Sequence, residues 1–181
     1  MKVVAVESIL LTVPYRTSAG LQSIAGRPSA GLNILAIRLE TDQGITGWGE
    51  AFGHGVCPAT KTAFDTLVAP MLIGRDPRQI DGLMRDLQRT LHLFGRSGAV
   101  MYALSGVDIA LWDIAGKVAG KPLHELLGGS TRPLPAYASL LRCSGPEAVA
   151  QSCRDALAQG YTQIKLHEIT VPAVKAAREV A

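Results

Sequence analysis

Ala103-Leu104-Ser105-Gly106-Val107-Asp108-Ile109-Ala110-Leu111-Trp112-Asp113-Ile114-Ala115-Gly116-Lys117-Val118-Ala119-Gly120-Lys121-Pro122-Leu123-His124-Glu125-Leu126-Leu127-Gly128-Gly129 is the stretch whose reading decides the fold. Its apolar residues recur at helical spacing, and Ala103, Gly106 and Ala110 form a smooth strip against which another backbone can lie close. Gly120 stops the helix, Pro122 opens a short second one, and Gly128-Gly129 ends that. The run from Gly98 to Val118 is mostly apolar, interrupted by Ser105, Asp108, Asp113 and Lys117. A helix of that composition is expected to be buried on most of its circumference, and so to lie at the centre of its domain.

The elements before this helix read as a small sheet followed by helices. Val3 to Val13 is rich in β-branched and aliphatic residues and suits a strand, which Pro14 ends. Tyr15 to Gly31 is a long stretch of Ser, Ala, Gly and Arg, and a loop of that length in a compact domain is often functional. Asn33 to Thr41 reads as a strand with Leu35, Ile37 and Leu39 on one face and Ile34, Ala36 and Arg38 on the other. Asp42-Gln43-Gly44 is a turn, and Ile45 to Ala51 returns. A Gly-rich loop, Phe52 to Pro58, then gives way to helical periodicity over Thr60 to Leu67 and Asp76 to Leu93. Residues 1–130 are therefore expected to form an α+β domain with a three-stranded antiparallel meander plus helices.

After Thr131 the order of elements changes. Leu134 to Leu141 reads as a strand, Gly145-Pro146-Glu147 to Gln159 as a helix, Tyr161 to His167 as a strand, and Val171 to Ala181 as a helix. Strand, helix, strand, helix is the start of a parallel βα array, which two units cannot close. Residues 131–181 thus read as the first two βα units of an incomplete barrel, and the chain as cut off.

Composition narrows the functional classes. Apolar residues make up 48% of the 181 residues and charged ones 18%, which excludes a disordered chain. A net charge of +3 with scattered Lys and Arg gives nucleic-acid binding no support. The longest apolar runs are short or interrupted, so no segment is expected to span a bilayer. Glu7 interrupts any leader-like apolar core, and the chain reads as cytoplasmic. Cys57, Cys143 and Cys153 lack metal-ligand spacing and read as free thiols.

The run from Ala103 to Gly128 resembles the signature of the mandelate racemase and muconate lactonizing families of the enolase superfamily. The match covers the small residues, Asp108, Asp113, Gly116-Lys117, Pro122, Leu126-Leu127 and Gly128. Thr41 to Glu50, ending Gly47-Trp48-Gly49-Glu50, resembles the family's capping-domain hairpin, and the element order agrees over the whole chain. The resemblance implies an N-terminal capping domain followed by the first units of a TIM-type (β/α) barrel. The helix carrying Asp108 and Asp113 is structural in this family, so neither is taken as a metal ligand.

The family's chemistry is abstraction of the proton next to a carboxylate, with Mg²⁺ stabilising the enediolate. Its metal is held by three acidic residues at the ends of consecutive barrel strands. Glu168 and Glu179 do not fit those positions, and the ligands are expected beyond residue 181. The second barrel strand ends Lys165-Leu166-His167-Glu168, where the family usually has Lys-x-Lys. Alternation puts Lys165 and His167 on one face, toward the barrel mouth. Lys165 matches the lysine near the substrate carboxylate, and His167 stands where the catalytic lysine does.

A neutral imidazole serves as a general base near pH 7, and a histidine here also suits binding of substrate or metal-bound water, or structure alone. In the family, two capping-domain loops choose the substrate; Tyr15–Gly31 and Phe52–Cys57 occupy those places and offer Arg16 and His54.

The resemblance implies a lyase or isomerase acting on a small carboxylate, with a hydroxy-acid or sugar-acid dehydratase first and a racemase or epimerase next. A cycloisomerase fits less well, because that subgroup keeps both lysines. The reading from another class is a catalytically silent capping or interaction module. Family members commonly assemble as homo-oligomers, dimers or octamers.

Overall fold

The structure is a computed structural model, and it describes residues 1–14, 23–24, 27–28, 31–143 and 145–181. The chain folds as two compact units: Met1–Val13 with Leu32–Thr131, and Pro14–Gly31 with Arg132–Ala181.

In the first unit, β1 (Val3–Val13), β4 (Leu32–Thr41) and β5 (Thr46–Ala51) form an antiparallel sheet in the order β1-β4-β5, the meander read from the sequence. The intervening strands β2 (Ser23–Ile24) and β3 (Arg27–Pro28) pair only with each other, in the segment assigned to the second unit. The β4–β5 turn closes on Gly44, whose φ of 76° requires glycine's freedom. Thr41 stiffens that turn, its Oγ1 donating to the Ile45 carbonyl at 2.9 Å.

The two faces of β4 diverge as alternation predicts. Leu35, Ile37 and Leu39 are fully buried, each contributing roughly 1.5–3 kcal/mol by leaving water. On the other face Arg38 sits in register with Glu7 on one side and Trp48 on the other. It pairs with the carboxylates of Glu7 (3.1 Å) and Glu40, and its guanidinium lies 5.9 Å from the Trp48 ring centre.

The helices cover the buried face. α1 (Cys57–Ala63) runs into a π turn (Phe64–Val68) and a 3-10 turn (Ala69–Met71). Lys61 of α1 ties this layer to β1, donating to the Ser8 carbonyl at 3.0 Å and to Asp65 at 2.9 Å.

The helix expected over Asp76–Leu93 is shorter, α2 (Ile80–Thr90). Asp76 ends it early at the front by accepting both the Arg78 backbone N–H (3.0 Å) and its guanidinium (2.6 and 2.9 Å) in a tight turn. That pairing holds the Asp76 carboxyl well below the usual carboxylate range. At the back, a 3-10 turn (His92–Phe94) takes over.

α3 (Ala99–Ala119) is the central helix, with Ala103, Leu104, Val107, Ala110, Leu111 and Ile114 buried against the sheet and its neighbours. Gly120 (φ 61°) ends it with a Schellman pair, Lys121 N–H to the Gly116 carbonyl at 3.0 Å and Gly120 N–H to Lys117 at 3.3 Å. α4 (Leu123–Leu126) follows Pro122. By length and apolar composition α3 does meet the criterion for a membrane span, which corrects the reading that no segment does. Its buried stripe and its Asp113–Lys117 pair identify it as a core helix.

The second unit holds β6 (Ala138–Ser139), α5 (Pro146–Ala158), β7 (Ile164–Lys165) and α6 (Val171–Arg178). β6 and β7 are parallel, pairing Ala138 with Ile164 and Ser139 with Lys165. The ladder is shorter than the strands read from the sequence, which extended over Leu134–Leu141 and Tyr161–His167. Only the central residues exchange bonds, from Ala138 N–H to the Gln163 carbonyl and from Leu140 N–H to the Lys165 carbonyl, both 2.9 Å. Val149 and Cys153 of α5 and Ala173 and Ala177 of α6 form its core, with Leu140, Cys143, Ile164 and Leu166 against them.

Candidate functional site

The candidate site is the end of β7. Ile164 and Leu166 turn toward the helices and are half-buried there, so the alternating residues Lys165 and His167 share the opposite, exposed face. The structure therefore brings these two side chains to one face of one strand end.

His167 is oriented by the neighbouring strand. Its Nδ1 lies 2.7 Å from the carbonyl oxygen of Leu140. A carbonyl only accepts, so Nδ1 carries the proton and donates it. In the neutral ring Nε2 is then the nitrogen with the free lone pair. A ring held by one nitrogen through a backbone carbonyl, with the other presented outward, is the arrangement a proton-accepting histidine requires.

Glu168 has a different task. Its Oε1 accepts the Cys143 backbone N–H at 2.6 Å, joining the loop after β6 to the end of β7. Two hydrogen bonds, His167–Leu140 and Glu168–Cys143, thus clasp the two strand ends. Neither was visible in the sequence, because one acceptor is a backbone carbonyl and the other bond's donor a backbone amide. No group of three His, Cys, Asp or Glu side chains among the described residues is placed to hold a metal ion.

Of the two loop residues, Arg16 lies outside the described residues. His54 opens the 3-10 turn His54–Val56, and its side chain is likewise outside the described set. The base of that loop is firmly built. Val56 N–H donates to the Gly53 carbonyl at 2.9 Å, and Thr60 Oγ1 to the Phe52 carbonyl at 3.2 Å. The Phe52 ring meets Tyr102 with centroids 4.7 Å apart. A Cβ on Gly53 would collide with the Cys57 sulfur, which closes the loop to any larger residue there. Burial, then the nearby Glu50, pushes the Cys57 thiol up, marking it as a packing residue rather than a nucleophile.

The cysteines are all free. Asp113, a signature residue, joins a strand to a helix within the first unit. It accepts the Trp48 N–H at 2.8 Å and the Lys117 ammonium at 2.6 Å, and Lys117 also donates to the Thr46 carbonyl at 2.7 Å. The signature binds β5 to α3.

Comparison with known proteins agrees with this architecture. Residues 8–128 match the model for the mandelate racemase / muconate lactonizing enzyme, N-terminal domain. A D-galactonate dehydratase family member from Pseudarthrobacter chlorophenolicus is 38% identical over 150 residues, which is 82% of this chain and 36% of that protein. An arabinonate dehydratase from Saccharolobus solfataricus is 36% identical over 122 residues, 67% of this chain and 32% of that protein. Among solved structures, a member of the enolase superfamily from Polaromonas sp. JS666 superposes with a TM-score of 0.83 at 34% identity, covering 99% of this chain and 49% of that one. The chain spans about a third of the length of these curated relatives and about half of that solved structure.

Proposed function

The chain belongs to the mandelate racemase / muconate lactonizing enzyme family, and we propose that the protein it forms is a sugar-acid dehydratase in which His167 is a general base. The observation that carries the role of His167 is the Nδ1–H bond to the Leu140 carbonyl, which leaves Nε2 free to accept a proton. The substrate class rests on the two curated relatives, named for galactonate and arabinonate.

In this reading Nε2 of His167 takes the proton from the carbon next to the carboxylate. The C–H electron pair becomes the double bond of an enediolate. Collapse of that enediolate breaks the C–O bond to the β-hydroxyl, which leaves as water with the proton that Nε2 had accepted. The enol left behind tautomerises to a 2-keto-3-deoxy acid. The Lys165 ammonium lies beside the carboxylate and opposes its growing negative charge. Arg16 and His54, on the two loops of the capping domain, contact the polar end of the substrate. Magnesium dependence belongs to the same proposal and rests on family membership, with its ligands outside the 181 residues. The cytoplasm is the proposed location and a homo-oligomer the proposed state.

Epimerisation shares the first proton transfer and differs in where the proton returns, so the product separates the two. The test is to incubate the whole protein and Mg²⁺ with a panel of aldonic acids and to look for 2-keto-3-deoxy acids. Their formation from one or a few members of the panel is expected. Epimers without keto acid would move the assignment to epimerase, and no turnover of any acid would leave the silent module.

A further inference from the structure

The first unit contains a cavity. It has a volume of about 530 Å³ and sits between the C-terminal half of α2 and the start of α3. Its wall carries Arg85 and Arg89, one turn apart on α2, together with His92 of the following 3-10 turn and Arg96 of the connection to α3. Leu91 and Leu104, both buried, form its floor.

The charge in this cavity is unbalanced. No carboxylate lines it. Among the described residues none of the three arginines makes an ion pair, although arginines elsewhere do so readily: Arg38 with Glu7 and Glu40, Arg75 with Asp86, and Arg78 with Asp76. Asp86, next in sequence to Arg85, is taken by Arg75 at 2.7 Å. Three permanently charged guanidinium groups around one concave space repel one another, and an anion seated between them relieves that repulsion. His92 is fixed by donation from Nδ1 to the Arg89 carbonyl at 2.7 Å, which fastens the turn to the helix end. The volume is in the range of small-molecule sites, and far too small for a folded partner.

We propose that the cavity lined by Arg85, Arg89, His92 and Arg96 binds a small polyanion bearing two or more phosphate or carboxylate charges. Guanidinium groups recognise both chemistries through paired N–H donors, and the apolar floor accommodates the carbon skeleton. The site is independent of the chemistry proposed at His167.

The test is calorimetric titration of the whole protein with pyrophosphate and, separately, with citrate. Arg89→Gln, Arg96→Gln and the double variant Arg85→Gln/Arg89→Gln are compared with Arg154→Gln, which removes the same charge from the other unit. These side chains are exposed and glutamine is a good helix former, so far-ultraviolet circular dichroism should match the wild type. Saturable binding of at least one probe is expected. The single cavity variants should weaken it about tenfold or more, added salt should weaken it too, and Arg154→Gln should leave it unchanged. The tighter probe identifies phosphate or carboxylate as the recognised group. No saturable binding of either probe overturns the proposal. So does equal weakening by Arg154→Gln.

Discussion

The backbone N–H of Trp48 donates to Oδ2 of Asp113 at 2.8 Å, across 65 residues of sequence. The same oxygen accepts the Lys117 ammonium, which also reaches the Thr46 carbonyl. The edge strand β5 is thereby fastened to α3 by one carboxylate and one ammonium, at the most characteristic positions of the sequence. Asp113→Ala is expected to cost about 1–2 kcal/mol, since it removes one amide bond and one ion pair at a partly exposed place. Asp113→Asn should cost less, because the amide oxygen still accepts from Trp48. A urea titration checks both; a midpoint equal to that of the wild type for Asp113→Ala would mean the tether is dispensable.

Close approach of β5 to α3 depends on missing side chains. A Cβ on Gly49 would overlap the Gly106 carbonyl oxygen, and one on Gly106 would come within 2.9 Å of Ala51 Cβ. Gly49→Ala is expected to destabilise by roughly 2–3 kcal/mol or to prevent folding, as overpacking against backbone does. Gly55→Ala meets nothing within 4 Å and should change stability by less than about 0.5 kcal/mol. Thermal melting of the two variants side by side is the check.

Burial, followed by the like charge of Asp81, holds the Asp108 carboxyl above its ordinary value. A carboxyl raised in the folded state binds more protons there than when unfolded. Stability is then favoured below the unfolded value and declines as pH rises through the folded one. Asp108→Asn should remove that decline and melt above the wild type at pH 7, with the gap closing as the pH falls through the carboxylate range. Melting curves at a series of pH values test this; a gap that stays constant with pH would place the effect elsewhere.

The fold was legible because its signals are local. Alternation buried Leu35, Ile37 and Leu39, and Gly120 and Pro122 bounded α3 and α4 where their backbone chemistry puts them. The reading overran at Asp76, whose pairing with Arg78 makes a turn that apolar periodicity does not report. It also overran at β6 and β7, where strand-like composition extends past the paired residues.

The candidate site was half legible. Lys165 and His167 follow from alternation and from the family pattern. The Leu140 carbonyl that fixes the imidazole is backbone, and no side-chain pattern could disclose it. The arginine-lined cavity is not legible in the sequence for another reason: its charges come from a helix, a turn and a loop and form no run.

The central claim is that Nε2 of His167 removes the proton next to the carboxylate. Incubating the whole protein with a turned-over sugar acid and Mg²⁺ in deuterium oxide, and following the α-proton signal by NMR, tests it directly. His167→Ala is expected to slow α-proton loss by about 10²–10⁴-fold while Lys165 and the bound substrate remain in place. Loss of the α-proton at the wild-type rate in His167→Ala would contradict the account.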